Sequence, residues 1–227
     1  MTVVTSASPA MSVAGSVSPM ASTSVSMGRL PELIPHTPAA SPNAELREEL
    51  LARMAEDQAV RTGIPLPGDD RTAEELFADM GRVDDENAGR MHEILAEFGW
   101  PGWSLVGEDG ALAAWVLIQH ADLDPALQDR GLALMRGAVA AEDADPGDLA
   151  YLIDRVLVRQ GIPQVYGTRL RSGPDGEISP ATPIEDEANV DERRRAAGLP
   201  TLEEYYEEFR RAVAGEPSPA PSASARD

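Results

Sequence analysis

ALAAWVLIQHADLDPALQ, residues Ala111–Gln128, holds the decisive change of pattern in this chain. Ala111 to Ile118 is apolar on every helical face, and a helix of that kind belongs inside a protein. The sequence predicts a short buried helix over 111–121. Asp124 followed by Pro125 then reads as the N-cap and first residue of a new helix. Between the two lie His120 and Asp122, polar side chains at the end of the most apolar segment.

Working outward, the fourth helix runs from Pro125 to near Glu142. Asp145 with Pro146 opens a fifth, which ends at Gln160 before Gly161. Upstream, Thr72 and Glu75 form a capping box, and a second helix reaches Phe98 before Gly99. Its stripe is Leu76, Met80, Val83, Asn87, Met91, Ile94 and Phe98, in steps of three and four, with Asn87 interrupting it. The first helix spans about 43–62, opened by Ser41 and Pro42 and stopped by Gly63. Leu46, Leu50, Leu51 and Met54 form its stripe, which turns polar at Gln58 and Arg61. GIPLPGDD reads as a loop, and GWPGWSLVGEDG as a turn-rich connection that includes Ser104.

Beyond the fifth helix, QVYGTRLR carries strand-forming residues and SGPDGE a turn. A short β-hairpin or ordered loop is expected near 164–180. A helix at about 187–197 follows, then an acidic one capped by Thr201 and Glu204 and reaching about Val213. The expected fold is mostly α: a compact helical domain of about six or seven helices with one hairpin. The expected organisation is a disordered Ser/Ala/Pro-rich tail over 1–42, a single helical domain over 43–213 and a disordered tail over 214–227.

Composition narrows the chemistry. There is no cysteine, which excludes disulfides, thiolate metal sites and a Cys nucleophile. All 19 basic residues are arginine, so Schiff-base chemistry and a Walker-type phosphate loop are excluded as well. The formal net charge of −20 argues against nucleic acid or an anionic membrane as partner. No apolar run is long enough to span a bilayer, and the N-terminus lacks the basic start and apolar core of a signal peptide. A cytoplasmic location is expected. Met11, Met20 and Met27 offer internal start positions.

Several stretches, in this order, carry a resemblance: MAEDQAVR, GWPGWSLVG, AAWVLIQHADLDPALQ, AYLIDRVLV, GIPQVYGT, PIEDEANVDERRRAAGL and LEEYYEEF. Together they resemble a bacterial family defined only as a domain of unknown function, over about Ala44 to Phe209. QHAD and PQ-x-YGT are its most specific parts. The family pattern continues with Gln after YGT, where this chain has Arg169. The resemblance implies domain boundaries and no particular reaction.

Candidate site residues are polar side chains in apolar company. Asp154 has Ala150, Tyr151, Leu157 and Val158 at helical spacing, so a buried charge there must find a partner or shift its pKa. It reads either as a general base or as half of a structural ion pair. His120 ends a buried helix, where the carbonyl dipoles favour its protonated form. His120, Asp122 and Asp154 are the candidate catalytic residues. Gln58, Asn87, Gln119, Arg155, Gln164, Tyr166, Thr168 and Arg193 are the candidate ligand-binding residues. Among them, Gln164, Tyr166 and Thr168 fall on one side if the segment is extended, and the run Arg193 to Arg195 could hold an anion bidentately. His92 reads as a boundary residue, and His36 lies in the tail. One His and one Asp are too few for zinc, so no metal site is assigned; a hard-metal site would need Asp122, Asp154 and Asp186 to converge. The cofactor is left open, as is the partner, small molecule or protein.

Two functions remain open on the sequence. One is a hydrolase- or transferase-like enzyme on a small polar or anionic substrate, with His120 as acid or base. The other is a non-catalytic ligand- or protein-binding helical module, regulatory or immunity type. Convergence of His120, Asp154, Tyr166 and Asn87 on one cleft would favour an enzyme or a ligand-binding site.

Overall fold

The computed structural model describes residues 42–62, 72–173 and 177–213. The two expected tails, the GIPLPGDD loop with the Gly63 stop, and the tip of the SGPDGE turn lie outside the described residues. Within them are seven α-helices: α1 (Ala44–Thr62), α2 (Ala73–Glu97), α3 (Trp103–His120), α4 (Pro125–Ala140), α5 (Pro146–Arg159), α6 (Val190–Ala196) and α7 (Leu202–Val213). Strands β1 (Leu170–Ser172) and β2 (Ile178–Pro180) form an antiparallel pair between α5 and α6, with Arg171 opposite Ser179. A 3-10 turn, Glu187–Asn189, precedes α6. The mostly-α class and the single hairpin agree with the sequence.

The buried helix is the centre of the molecule. α3 touches α1, α2, α4 and α5. Val106, Ala113, Ala114, Leu117 and Ile118 of α3 meet Leu50, Met91, Ile94, Leu127 and Leu152 from its neighbours in one core. Each large side chain removed from water there contributes roughly 1.5–3 kcal/mol. The small residues Ala113 and Ala114 let neighbouring helices approach closely.

The capping logic holds at four helix starts, among them α7, where Thr201 and Glu204 exchange both bonds of a capping box. Thr72 and Glu75 exchange both hydrogen bonds of a capping box. Asp124 accepts from the Leu127 amide, and Asp145 from those of Gly147 and Asp148.

Two local expectations are corrected. α3 begins at Trp103, not near 111, so Ser104 sits in a helical turn. The early start is capped from a distance: both the Ser104 amide (2.6 Å) and its hydroxyl (2.8 Å) donate to the Asp143 carboxylate, beyond α4. Gly107, at φ +75°, then breaks the helix between that turn and the long apolar part, which explains the turn-like look of the sequence. The second correction concerns Gln164–Thr168. It is not an extended face of three side chains, because Gly167 at φ +70° breaks the period of two. Gln164 and Thr168 are buried while Tyr166 is half-buried.

Candidate functional site

The site grows from the inner face of α1. Leu46, Leu50 and Met54 repeat at helical spacing, and Asp57 and Arg61 continue the same face. That continuation points at the C-terminal end of α3. His120 Nδ1 lies 2.7 Å from Asp57 Oδ2, with Asp57 only 1 % exposed and His120 11 %. Asp57 also accepts from Arg61 Nε at 3.1 Å and from the Gln58 amide at 2.9 Å. Burial alone would push the Asp57 carboxyl up. Hydrogen bonding and charge from His120, together with Arg61, outweigh it and hold the carboxyl below the usual range.

An ionised carboxylate can only accept, so Nδ1 of His120 carries the shared proton. The other ring nitrogen, Nε2, makes no hydrogen bond among the described residues. It is not one of the buried orphans either, which are Asn87 Nδ2, Trp100 Nε1, Gln119 Nε2 and Arg194 Nη2. A carboxylate thus fixes the imidazole while the far nitrogen stays available, the arrangement that general-base histidines use.

Arg61 joins a second carboxylate to the pair through a short ion pair with Asp84. Burial, reinforced by the charges of Asp57 and Asp122, pushes Asp84 up to about 6 even against Arg61. Asp84 lines an open cleft of about 350 Å³ between α2 and the α3–α4 turn. Ala121, Leu123, His92 and Asp124 complete much of its wall, and His92 Nε2 lies 2.7 Å from Asp124 Oδ2. Asp124 therefore serves twice, as helix cap and as partner to His92. The cleft exists because α2 presents Ala88 and Gly89 there.

On the other side of His120, Arg155 bonds Gln119 through Nε and Asp122 through Nη1, both short contacts. Gln128 Nε2 adds 3.1 Å to Asp122. Burial opposes ionisation of Asp122, but Arg155 and Gln128 hold its carboxyl below the usual range.

Asp154 does something different. It is fully buried and accepts from the amides of Val165 (2.8 Å), Tyr166 (3.1 Å) and Thr168 (2.8 Å) and from the Thr168 hydroxyl (3.0 Å). Its oxygens hold the Gln164–Thr168 loop around themselves. Gln164 belongs to the same framework: its amide accepts from the Arg169 amide (2.7 Å) and donates to the carbonyls of Arg169 and Thr182 (both 3.0 Å). Arg193 donates to the carbonyls of Val165, Glu185 and Asp186. Tyr166 enters through its backbone, donating to Asp154 and accepting from Arg194.

His120, Asp154, Tyr166 and Asn87 do not converge on one cleft; the sequence-predicted residues divide. Gln58, Gln119, His120, Asp122 and Arg155 come together at the end of α3. Asp154, Gln164, Tyr166, Thr168 and Arg193 come together as a loop anchor. Asn87 stands apart, accepting from Arg53 at 3.3 Å. Asp122, Asp154 and Asp186 do not converge, and no cluster of three or more His, Asp or Glu among the described residues is set to hold a metal. Asp57 and Asp84 were missed by the sequence reading. Asp57 had a signal, a carboxylate at stripe spacing after Leu50 and Met54. Asp84, one position past the stripe residue Val83, had none.

These elements define a mostly helical protein with a buried Asp–His pair at the C-terminal end of its central helix. The chain belongs to the Family of unknown function (DUF6624), whose profile matches residues 44–214. No curated protein and no solved structure matches it. Among the described residues no helix is long and apolar enough to cross a membrane.

Proposed function

We propose that the chain is an acid–base enzyme, hydrolytic or group-transferring, that acts on a small polar or anionic substrate at the cleft beside His120. The observation that carries this reading is the Asp57–His120 pair, with Nδ1 engaged at 2.7 Å and Nε2 without a hydrogen bond among the described residues. With no cysteine or lysine and no Ser elbow, the group His120 would activate is a water or a substrate hydroxyl. Asp57 stays ionised and orients the ring. Asp84, pushed up to about 6, supplies a carboxyl that exchanges protons near neutrality. Two carboxyls driven in opposite directions around one histidine suit an acid and a base working together. A cytoplasmic setting, one helical domain over 43–213 and no nucleic-acid or membrane partner belong to the same proposal.

The non-catalytic reading has one observation in its favour. Leu123, at the cleft rim, is 82 % exposed, as an anchor for a protein or ligand would be.

The test has two arms. In ¹⁵N NMR of the full chain, neutral His120 should be the Nδ1–H tautomer, and Asp57→Asn should abolish that preference. On a panel of chromogenic esters, phosphoesters and amides, any turnover should fall about 10²–10⁴-fold in His120→Gln. A dominant Nε2–H tautomer, or turnover indifferent to His120→Gln, sinks the enzyme reading.

A further inference from the structure

The strongest unused feature is a set of hydrogen-bond donors that lacks an acceptor. Gln119 is 5 % exposed, and its Oε1 accepts from Arg155 Nε. That contact fixes the amide orientation, because a flipped amide would set N–H against N–H. The Nε2 group is then left buried with no hydrogen-bond partner. Buried donors in folded proteins are almost always satisfied, so each exception calls for an explanation.

Arg169 adds a second, independent anomaly. Its backbone is pinned at both ends by Gln164, and the preceding Thr168 is tied to Asp154, the residue before Arg155. The loop thereby lays Arg169 against the end of α5 that carries Arg155. The Arg169 guanidinium makes no ion pair or hydrogen bond among the described residues, although the residue is half-buried. Burial and the like charge of Arg155 make its protonated form harder to hold, and Asp122 only partly offsets them. Asp122 is already engaged by Arg155 and Gln128, and the Asp154 oxygens by the loop. In a chain with 39 acidic residues and 19 basic ones, two arginines lie together here and one of them has no carboxylate partner among the described residues. A water could satisfy the Gln119 amide, but not the charge on Arg169.

We propose that Arg155, Arg169 and the Gln119 amide form a binding subsite for a small oxyanion, a carboxylate or phosphate group carried by the substrate, one residue from His120. Guanidinium forks match the paired oxygens of such groups, and an amide N–H adds a third donor. The word substrate rests on the acid–base reading above; the anion site itself does not.

The experiment titrates the full-length chain with sodium phosphate and, separately, sodium succinate, against sodium chloride at equal ionic strength. Unfolding temperature and the ¹⁵N side-chain resonance of Gln119 are followed. The expected result is a saturable rise in unfolding temperature for at least one oxyanion and none for chloride, with the Gln119 resonance moving in step. Which salt acts distinguishes a phosphate from a carboxylate. Arg169→Gln should weaken binding at least tenfold. Arg171→Gln, two residues along and exposed, should leave it within twofold of wild type. His120→Gln should also leave it within twofold, which separates this proposal from the acid–base reading. The proposal is overturned if neither oxyanion exceeds chloride, if the Gln119 resonance does not move, or if Arg169→Gln binds as tightly as wild type. The Gln119 resonance, read on wild-type protein, decides the matter even if Arg169→Gln fails to fold.

Discussion

Asp154 and Thr168 are joined twice, the amide of Thr168 at 2.8 Å and its hydroxyl at 3.0 Å both reaching Oδ2. With the amides of Val165 and Tyr166 on the same carboxylate, one helix side chain sets the path of the following loop. Asp154→Asn replaces an acceptor-only group by one that turns an NH₂ toward backbone donors. The expected cost is about 2–4 kcal/mol, since charged hydrogen bonds are lost and buried donors are stranded. Thr168→Val should cost about 1 kcal/mol. Denaturant unfolding checks both, and an Asp154→Asn chain as stable as wild type would remove the anchor role.

How far the sequence disclosed this arrangement depends on where each residue's partner lies. Asp124 with Pro125, Asp145 with Pro146 and Thr72 with Glu75 are local devices, so their helices were legible. The start of α3 was not, because its cap, Asp143, lies beyond α4 and reaches Ser104 only through tertiary packing. Asp154 stood out as a buried charge, yet its contacts are not with an arginine. Its partners are loop amides, and a sequence does not show where amides point. His120 was found because it ends an apolar helix; Asp57, its orienting carboxylate, comes from a helix 63 residues away in sequence.

Breaking the Asp57–His120 pair should be costly. Asp57→Asn is expected to destabilise the chain by about 2–4 kcal/mol at pH 7, as loss of one partner from a buried pair does. The sign of the pH effect follows from a carboxyl held below its usual value in the folded state. Its contribution is present above the unfolded pKa, about 4, and is lost as pH falls through the lower folded value. Wild type should therefore lose stability faster than Asp57→Asn on acidification below about pH 4, as thermal unfolding across pH will read.

Asp148 should behave in the opposite sense. Burial, then the nearby charge of Asp145, pushes it up to about 7, and it lines a small, partly open cavity of about 20 Å³ with Trp100. A raised carboxyl binds its proton more tightly folded than unfolded, so its stabilisation is full below about pH 4 and fades as pH rises through 7. Asp148→Asn should be more stable than wild type at pH 8, by about 2 kcal/mol, and should flatten the stability profile between about pH 4 and 7. Equal profiles for the two proteins would show that Asp148 titrates like an exposed carboxyl.

Gly167 tests the loop from the backbone side. At φ +70°, a Cβ there would lie 2.6 Å from Ile184 Cδ1 and 3.0 Å from Leu202 Cδ1. Gly167→Ala should cost at least about 2 kcal/mol, combining left-handed strain with a clash. It should also loosen α7, whose Tyr205 hydroxyl donates to the Thr168 carbonyl at 2.9 Å. Hydrogen exchange over α6 and α7, read beside global unfolding, checks the coupling; unchanged protection there would confine the damage to the loop.

Gly89 separates access to the site from stability. It is exposed on α2, lines the cleft, and a Cβ added there meets nothing within 4 Å. Gly89→Leu replaces a poor helix former with a good one, so the fold should gain about 0.8 kcal/mol. The same side chain projects into the cleft beside Asp84 and His92. A chain that becomes more stable while losing turnover or ligand-induced thermal shift would tie function to that cleft. A chain that gains stability and keeps its function in full would send the search for the reacting group to the Arg155 side of His120.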